Sequence, residues 1–405
     1  LTLDDLQIAI KNYLKCDEFQ LILYDLINLS DEPKGFLGMH QILTVYIKRH
    51  QTKSTLTFFV KILPELTPKH AEYVEQFGCF QKESSLYESI IPELQRSSSK
   101  LGKWGAECYF IKNNKLLIFE NLSIKGFSLV ENNGGMYDFD HLTVTLKVLS
   151  KLHASSIIFE VNRGQKLLDI YPGKLNENAY VKKDGYIRML GLENAIEALV
   201  AIIKQIEKYQ TNFDLIAEKF PNIIRRIYDY VKTSETHLNV FNHGDLWSNN
   251  IMFKYHEKIP IDCRFVDFQL SRYSPPAFDV LTIIVMTTNS DFRKKYQQNL
   301  LNHYYSSLSE HLSAYQLKIS DFLSENEFAE TCAHFHLAGL IETCLFSHLT
   351  LLPIQITKTM MNSEDGFSEF ITKSRVNICL KAYECDINYR IRMTDMLSQI
   401  IDLYI

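Results

Sequence analysis

Several large functional classes are excluded by what this chain of 405 residues lacks. It has no G-x-x-x-x-G-K-[ST] run, so an ordinary P-loop is ruled out. No stretch approaches the roughly 18–20 uninterrupted apolar residues that cross a bilayer, the nearest being the short segment from Val280 to Met286, so no membrane span is expected. Asp4, Asp5 and Gln7 interrupt any apolar run at the start, and no signal peptide is expected there. Positive charge is not in excess: a net charge of −5 argues against a nucleic-acid partner, whose phosphates need clustered Lys and Arg. The eight cysteines include no C-x-x-C pair and no His partner at zinc spacing. That scattering fits reduced core thiols in a cytoplasmic protein better than a disulfide framework. Internal repeats and low-complexity tracts are missing as well.

What is present is an ordinary globular composition, 46% hydrophobic and 22% charged, in a chain too long for a single core. Two lobes and order nearly throughout are expected. Thr2 to Asp5 can cap a helix whose apolar positions are Leu6, Ile10, Tyr13 and Leu14, a lid or brace. Leu43, Val45 and Ile47 then alternate with polar residues, and after the polar stretch His50 to Ser54 comes Leu56 to Ile62, which predicts an antiparallel meander with a hairpin. Tyr73, Phe77, Phe80, Tyr87 and Ile91 predict one helix over about 69–94. Two further strands flank Asn113-Asn114, a tight-turn dipeptide. Beyond a connector near residues 120–126 the pattern is mostly helical, with one β-rich interval from about Ile251 to Phe268.

The strongest chemical signal is His243-Gly244-Asp245-Leu246-Trp247-Ser248-Asn249-Asn250, followed seventeen residues later by Asp267 in Asp267-Phe268-Gln269. Taken singly, each polar position is an ordinary turn residue. Together, an Asp and an Asn five apart, a strand, and an Asp at the next strand end suit phosphoryl transfer. That reaction needs a carboxylate for the attacking hydroxyl and oxygen ligands that hold Mg²⁺ against the nucleotide phosphates. A second signal is Lys61, flanked by Phe59, Val60, Ile62 and Leu63 in a strand that reads as buried on both faces, where an unpaired ammonium is costly. Glu83 projects from the apolar stripe of the following helix and is the expected partner, an ion pair that would aim Lys61 at the α- and β-phosphates of ATP. Gly35 and Gly38, in Asp31 to Met39, are either phosphate-approaching glycines or simply a hairpin turn.

These residues, with Glu120-Asn121-Leu122 and Leu152-His153-Ala154, resemble the ecdysteroid kinase-like family of insects, itself related to choline kinases and aminoglycoside phosphotransferases. The resemblance runs from about residue 20 to about residue 390. It implies an α+β, protein-kinase-like two-lobed fold: a small antiparallel β-sheet N-lobe with one main helix, residues 1–121, and a large, mostly helical C-lobe, residues 122–405. It further implies that Asp245 is the catalytic base, that Asn250 and Asp267 are Mg²⁺ ligands, and that Lys61 binds phosphate. Glu120, Asn121 and Leu122 would form the adenine-contacting hinge, and Asp279 would steady the catalytic loop. The implied reaction is ATP-dependent phosphorylation of a hydroxyl on an ecdysteroid, another steroid, or a xenobiotic alcohol or phenol, as in detoxification. No protein partner is implied. Two alternatives stay open: a catalytically idle binder of a small apolar ligand or protein, and a choline- or aminoglycoside-type phosphotransferase. The chain departs from protein kinases in lacking the Arg of their catalytic loop, the Gly after Asp267-Phe268, and any later Ala-Pro-Glu, so activation-loop control is not expected.

Other signals are discounted. His334 and His336 are two apart on a predicted helix and face different ways. Ser84-Ser85 and Ser97 to Ser99 lie in no G-x-S-x-G elbow. Aromatic residues around His303-Tyr304-Tyr305 are candidates for an apolar acceptor pocket, or simply core.

Overall fold

A computed structural model of the chain describes residues 1–29, 38–63, 68–112, 115–130, 134–361 and 373–405. Residues 31–37 of the glycine-containing loop and the Asn113-Asn114 turn lie outside the described residues. Helix α1 (Leu3–Leu14) begins as its sequence demands: Thr2 and Asp5 cap it reciprocally, satisfying two backbone donors. Strands β1 (Gln20–Asn28), β2 (Met39–Arg49), β3 (Thr52–Ile62), β4 (Cys108–Lys112) and β5 (Leu116–Glu120) form one antiparallel sheet in the order β1-β2-β3-β5-β4. The β2–β3 hairpin closes at His50-Gln51, both with positive φ, the backbone that matches a two-residue turn to strand twist.

The period of two in the sequence divides the sheet into unlike faces. Leu43, Val45, Phe58, Val60 and Ile118 bury one face against Leu6, Ala9 and Ile10 of α1. There Tyr13 packs edge-on to Phe58 and Tyr109, at 5.4 and 5.3 Å between ring centroids. The opposite face carries Lys61 beside Leu117 and Phe59 beside Phe119 in the β3–β5 register.

The helix expected over 69–94 is instead interrupted: α2 (Pro68–Phe77), α3 (Cys79–Ser85), a π-helical turn at Leu86–Ile90, and α4 (Ile91–Ser97). Gly78, at φ 69°, breaks the first junction, and Pro92, which has no N–H to offer the preceding turn, follows the π-turn. The apolar spacing survives because Tyr73, Phe77, Phe80, Tyr87 and Ile91 all enter one core.

After the short strand β6 (Phe127–Ser128) the chain is mostly helical: α5 (Phe139–Arg163), α6 (Leu167–Ile170), α7 (Ile187–Ile203), α8 (Phe213–Arg225) and α9 (Ile227–Tyr230). Strands β7 (Val240–Asn242), β8 (Ile251–His256), β9 (Ile259–Phe265) and β10 (Arg272–Ser274) follow, making a β10-β7 pair and a β6-β8-β9 sheet. Helices α10 (Ala277–Met286), α11 (Ser290–Ser313), α12 (Glu325–Thr350), α13 (Ile354–Met361), α14 (Val376–Cys385) and α15 (Ile387–Tyr404) complete the fold. The architecture is thus the expected α+β arrangement of an antiparallel sheet joined to a helical mass. By length and hydropathy α5 alone among the described helices is apolar enough to cross a bilayer, but 78% of that stretch is buried inside the protein. It is a core helix, and its apolar residues are interrupted by polar ones along the sequence.

Phe58→Ala removes the ring that joins α1 to the sheet and should cost about 3–5 kcal/mol, the usual range for a buried Phe. A lowered denaturant midpoint would register it, and an unchanged midpoint would show that α1 is not docked.

Candidate active site

Strand β3 carries Lys61 on the face that looks toward α3, and α3 carries Glu83 toward the sheet, so the two meet at 2.7 Å. Their side chains are only 5% and 1% exposed. The Lys61 Nζ also donates to Asp267 Oδ1 at 2.8 Å, across 206 positions of sequence. Burial by itself would lower the lysine's proton affinity, but the Asp267 and Glu83 carboxylates outweigh it and hold the ammonium protonated above its ordinary range. With two carboxylates for one ammonium, burial pushes the Glu83 carboxyl up to about 7 while Lys61 pulls it back. Glu83 Oε1 also accepts the Phe268 N–H at 3.2 Å, which ties α3 to the residue after Asp267. A Cβ at Gly38 would lie 3.2 Å from the Lys61 Cε, so the described end of the glycine-containing loop crosses close over this lysine.

The segment 243–250 runs from β7 to β8, and its shape is held from below. Asp279, in the first turn of α10, accepts the N–H groups of His243 at 2.6 Å and Gly244 at 3.0 Å. Its Oδ2 is 3.6 Å from His153 Nε2, whose ring is anchored by Tyr304 Oη at 2.6 Å from Nδ1. Asp279 therefore occupies the steadying position that the family resemblance implied. His243 Nδ1 accepts the Asp245 N–H at 3.2 Å, leaving Nε2–H to donate to the Val266 carbonyl at 3.0 Å. Burial lowers the proton affinity of His243, in keeping with this neutral ring.

Asn250 donates from Nδ2 to the Asp245 carbonyl at 2.8 Å, a bond that does not engage its Oδ1. Asp267 sits just beyond β9 with a left-handed φ of 69°, which an Asp tolerates better than most residues. Gln269, unremarked in the sequence beyond its place in Asp267-Phe268-Gln269, donates to Asp267 Oδ2 at 3.2 Å and lies near enough to the Asp245 carboxyl to lower its proton affinity. Burial, and then the Asp267 charge, push the Asp245 carboxyl up to about 8, and its Oδ1 has no hydrogen-bond partner. Lys61, Glu83 and Asp267 are thus in direct contact, and Asp245 and Asn250 flank them.

Glu120, Asn121 and Leu122 continue from the end of β5, but their side chains turn to structural tasks. The Glu120 carboxylate accepts the Glu107 N–H at 3.3 Å and pairs with Lys125. Asn121 Oδ1 accepts the Ser123 N–H at 3.1 Å, and Leu122 packs with Ala106 and Phe127. A base bound here would meet their backbone.

Among the described residues no three His, Cys, Asp or Glu side chains gather to hold a metal. The donor set at Asp267 and Asn250 suits Mg²⁺, which takes one or two side-chain oxygens and completes its shell with phosphate and water. Of the aromatic candidates, Tyr304 is core and His303 bonds the Thr143 carbonyl, while Tyr305 lines a groove of ≈ 450 Å³ between α11 and α12. His334 packs on Tyr230 and His336 bonds Tyr404.

The sequence profile of the ecdysteroid kinase-like family matches residues 38–317. Solved structures similar to the chain include the GDP and kanamycin complex of APH(2″)-IIIa, at 10% identity and a TM-score of 0.40, covering 95% of this chain and 100% of that one. Another is the GDP complex of a mutant aminoglycoside 2′-phosphotransferase-IIIa, at 11% identity and a TM-score of 0.39, covering 93% and 95%. No curated protein matches the chain.

Gly244 tests the loop geometry. Its φ is 77°, and a Cβ there would lie 2.1 Å from the Leu270 carbonyl oxygen. Gly244→Ala should therefore displace segment 243–250 and lower the melting temperature, whereas Gly164→Ala, also at positive φ but in open space, should be tolerated better. Equal melting temperatures for the two variants would refute the described loop.

Proposed function

Because the chain belongs to the ecdysteroid kinase-like family, we propose that it is an ATP- and Mg²⁺-dependent phosphotransferase acting on a hydroxyl of a small molecule. The observation that carries this reading is Lys61 Nζ bridging Glu83 and Asp267, which joins the sheet, the helix beneath it and the chain leaving β9 at one point. Residues 1–121 and 122–405 are the two lobes that would enclose ATP. The half-buried Phe59 and Ile42, with Phe119, offer an apolar ceiling beside Lys61 for the adenine, and the backbone of Glu120 to Leu122 would meet its edge.

Asn250 and Asp267 would hold Mg²⁺, whose charge would offset that of the phosphate oxygens. Lys61, relieved of Asp267, would turn its ammonium to the α- and β-phosphates while Glu83 keeps it in place. Asp245 orients the acceptor hydroxyl; as its oxygen bonds to the γ-phosphorus, the proton passes to the Asp245 carboxylate and the bond to the β-phosphate oxygen breaks, releasing ADP. The acceptor class is an ecdysteroid, another steroid, or a xenobiotic alcohol or phenol. Eight free thiols fit a reducing, cytoplasmic setting.

Mg·ATP should raise the melting temperature, and ADP release should depend on a hydroxylated acceptor. Stabilisation without any acceptor-dependent ADP would identify an idle binder. Asp245→Asn should lower kcat by about 10²–10⁴-fold with the fold intact. The base must be deprotonated to work, so kcat/KM should rise with pH along a limb above the ordinary carboxylate range, and that limb should vanish in the variant. Lys61→Met should abolish most turnover and weaken stabilisation by Mg·ATP; unchanged kinetics would remove the lysine from the mechanism.

A further inference from the structure

A cation without an anion stands beside the catalytic segment, outside the groups that the proposed reaction uses. Arg392, on α15, donates from Nη2 to the carbonyl of Met286, the last residue of α10, at 2.7 Å. Its Nη1 is buried and has no hydrogen-bond partner. Among the described residues no carboxylate forms an ion pair with Arg392; Asp395, on the same helix, is instead 3.5 Å from the Arg293 guanidinium and accepts the Ser290 N–H at 3.2 Å. Burial, and then the Arg293 charge, bring the Arg392 guanidinium down to about 10, which still leaves it cationic at neutral pH.

This side chain lines a cavity of ≈ 20 Å³ with Gly135, Trp247, Ser248 and Ser347. That is room for one oxygen-sized group. Trp247 and Ser248 belong to the catalytic segment, two and three residues beyond Asp245. Gly135, at φ 75°, keeps the space open, since a Cβ there would lie 3.1 Å from Ser248 Oγ. Gly134 at the rim is exposed, and Trp247, Ser248 and Arg392 are half-buried, so the cavity reaches the surface.

The lining has one electrostatic sign. No acidic side chain contributes to it, and its polar groups are the Arg392 guanidinium and hydroxyls that can donate. A guanidinium withdrawn from water with one nitrogen unbonded is costly until an acceptor oxygen reaches it, and an anionic oxygen satisfies both the charge and the donor.

We propose that this cavity is an oxyanion subsite of the acceptor site, where Arg392 and Ser248 take one oxygen of a carboxylate, sulfate or phosphate group on a substrate whose hydroxyl meets Asp245. The inference rests on the phosphotransferase reading and narrows its acceptor to an alcohol or phenol that also bears an acidic group. Arg392 donates from Nη1 and Ser248 from its hydroxyl, while the bond from Nη2 to Met286 holds the guanidinium in place beforehand. A choline- or aminoglycoside-type cation would meet an unpaired like charge here and is disfavoured. The phosphates of the nucleotide present the same oxyanion chemistry, and the experiment separates the two sources.

The test sets a panel of aliphatic and phenolic hydroxy acids, para-hydroxyphenylacetate among them, beside the carboxamide of each, with Mg·ATP, scored by the mass of one added phosphate. The expected kcat/KM favours the acids by about tenfold or more, the worth of a charge-assisted hydrogen bond. Arg392→Gln should raise KM for the acids about tenfold with a much smaller change for the carboxamides, while Mg·ATP still raises its melting temperature. Native enzyme that uses acids and carboxamides equally, or only neutral alcohols, overturns the proposal even if the variant fails to fold. So does an Arg392→Gln protein that keeps the native preference, the mark of a bracing residue, or one that loses stabilisation by Mg·ATP, which would give the subsite to the nucleotide. No phosphorylated product from any hydroxyl compound, with Mg·ATP still bound, would instead overturn the phosphotransferase reading itself.

Discussion

A buried ammonium shared by two carboxylates organises this protein. Removing Lys61 and Glu83 from water is unfavourable for each alone, and only the contacts of the ammonium with Glu83 at 2.7 Å and with the part-buried Asp267 at 2.8 Å make the burial tolerable. That requirement sets the face of β3 that must look inward, the rotation of α3 about its axis, and the point at which the chain leaving β9 must stop and reverse. The left-handed backbone of Asp267 belongs to the same constraint, since it lets the carboxylate reach Lys61 while the next N–H reaches Glu83.

A second system, centred on the buried Asp279 carboxylate, keeps segment 243–250 in register with that charge cluster. Asp279 receives two consecutive backbone N–H groups, His153 stands behind it, and Tyr304 stands behind His153. The chain of contacts begins on α11, passes through α5 and α10, and ends on the loop between β7 and β8. Every member is buried, so a displacement at one link leaves a polar group unsatisfied in a low-dielectric interior. Phe268, packed against His243, Trp104 and Tyr87, supplies the apolar counterpart that holds the segment after Asp267.

Much of this was legible in the residues, and the failures have physical causes. The ion pair of Lys61 with Glu83 was readable because a lysine within an apolar strand must find an anion. The expected single helix over 69–94 broke because hydrophobic spacing records which face is buried, not whether the backbone ladder is continuous past Gly78 and Pro92. In the expected hinge, the side chains of Glu120 and Asn121 bond Glu107, Lys125 and Ser123, contacts that no local pattern in the sequence announced. Gln269 carried no periodic or charge signal that would have marked its amide as a donor to Asp267.

By itself the sequence determined the alternation that builds the sheet, the caps and turns, and the short runs in which Asp245, Asn250 and Asp267 are spaced by local backbone geometry. Local spacing sufficed there because those groups sit on one loop and one hairpin. Only the tertiary structure decided that Asp267 meets Lys61 from 206 positions away, and that the buried Arg272 meets Glu177. Such contacts depend on how sheet and helices pack, a property of the whole core that no window of the chain contains.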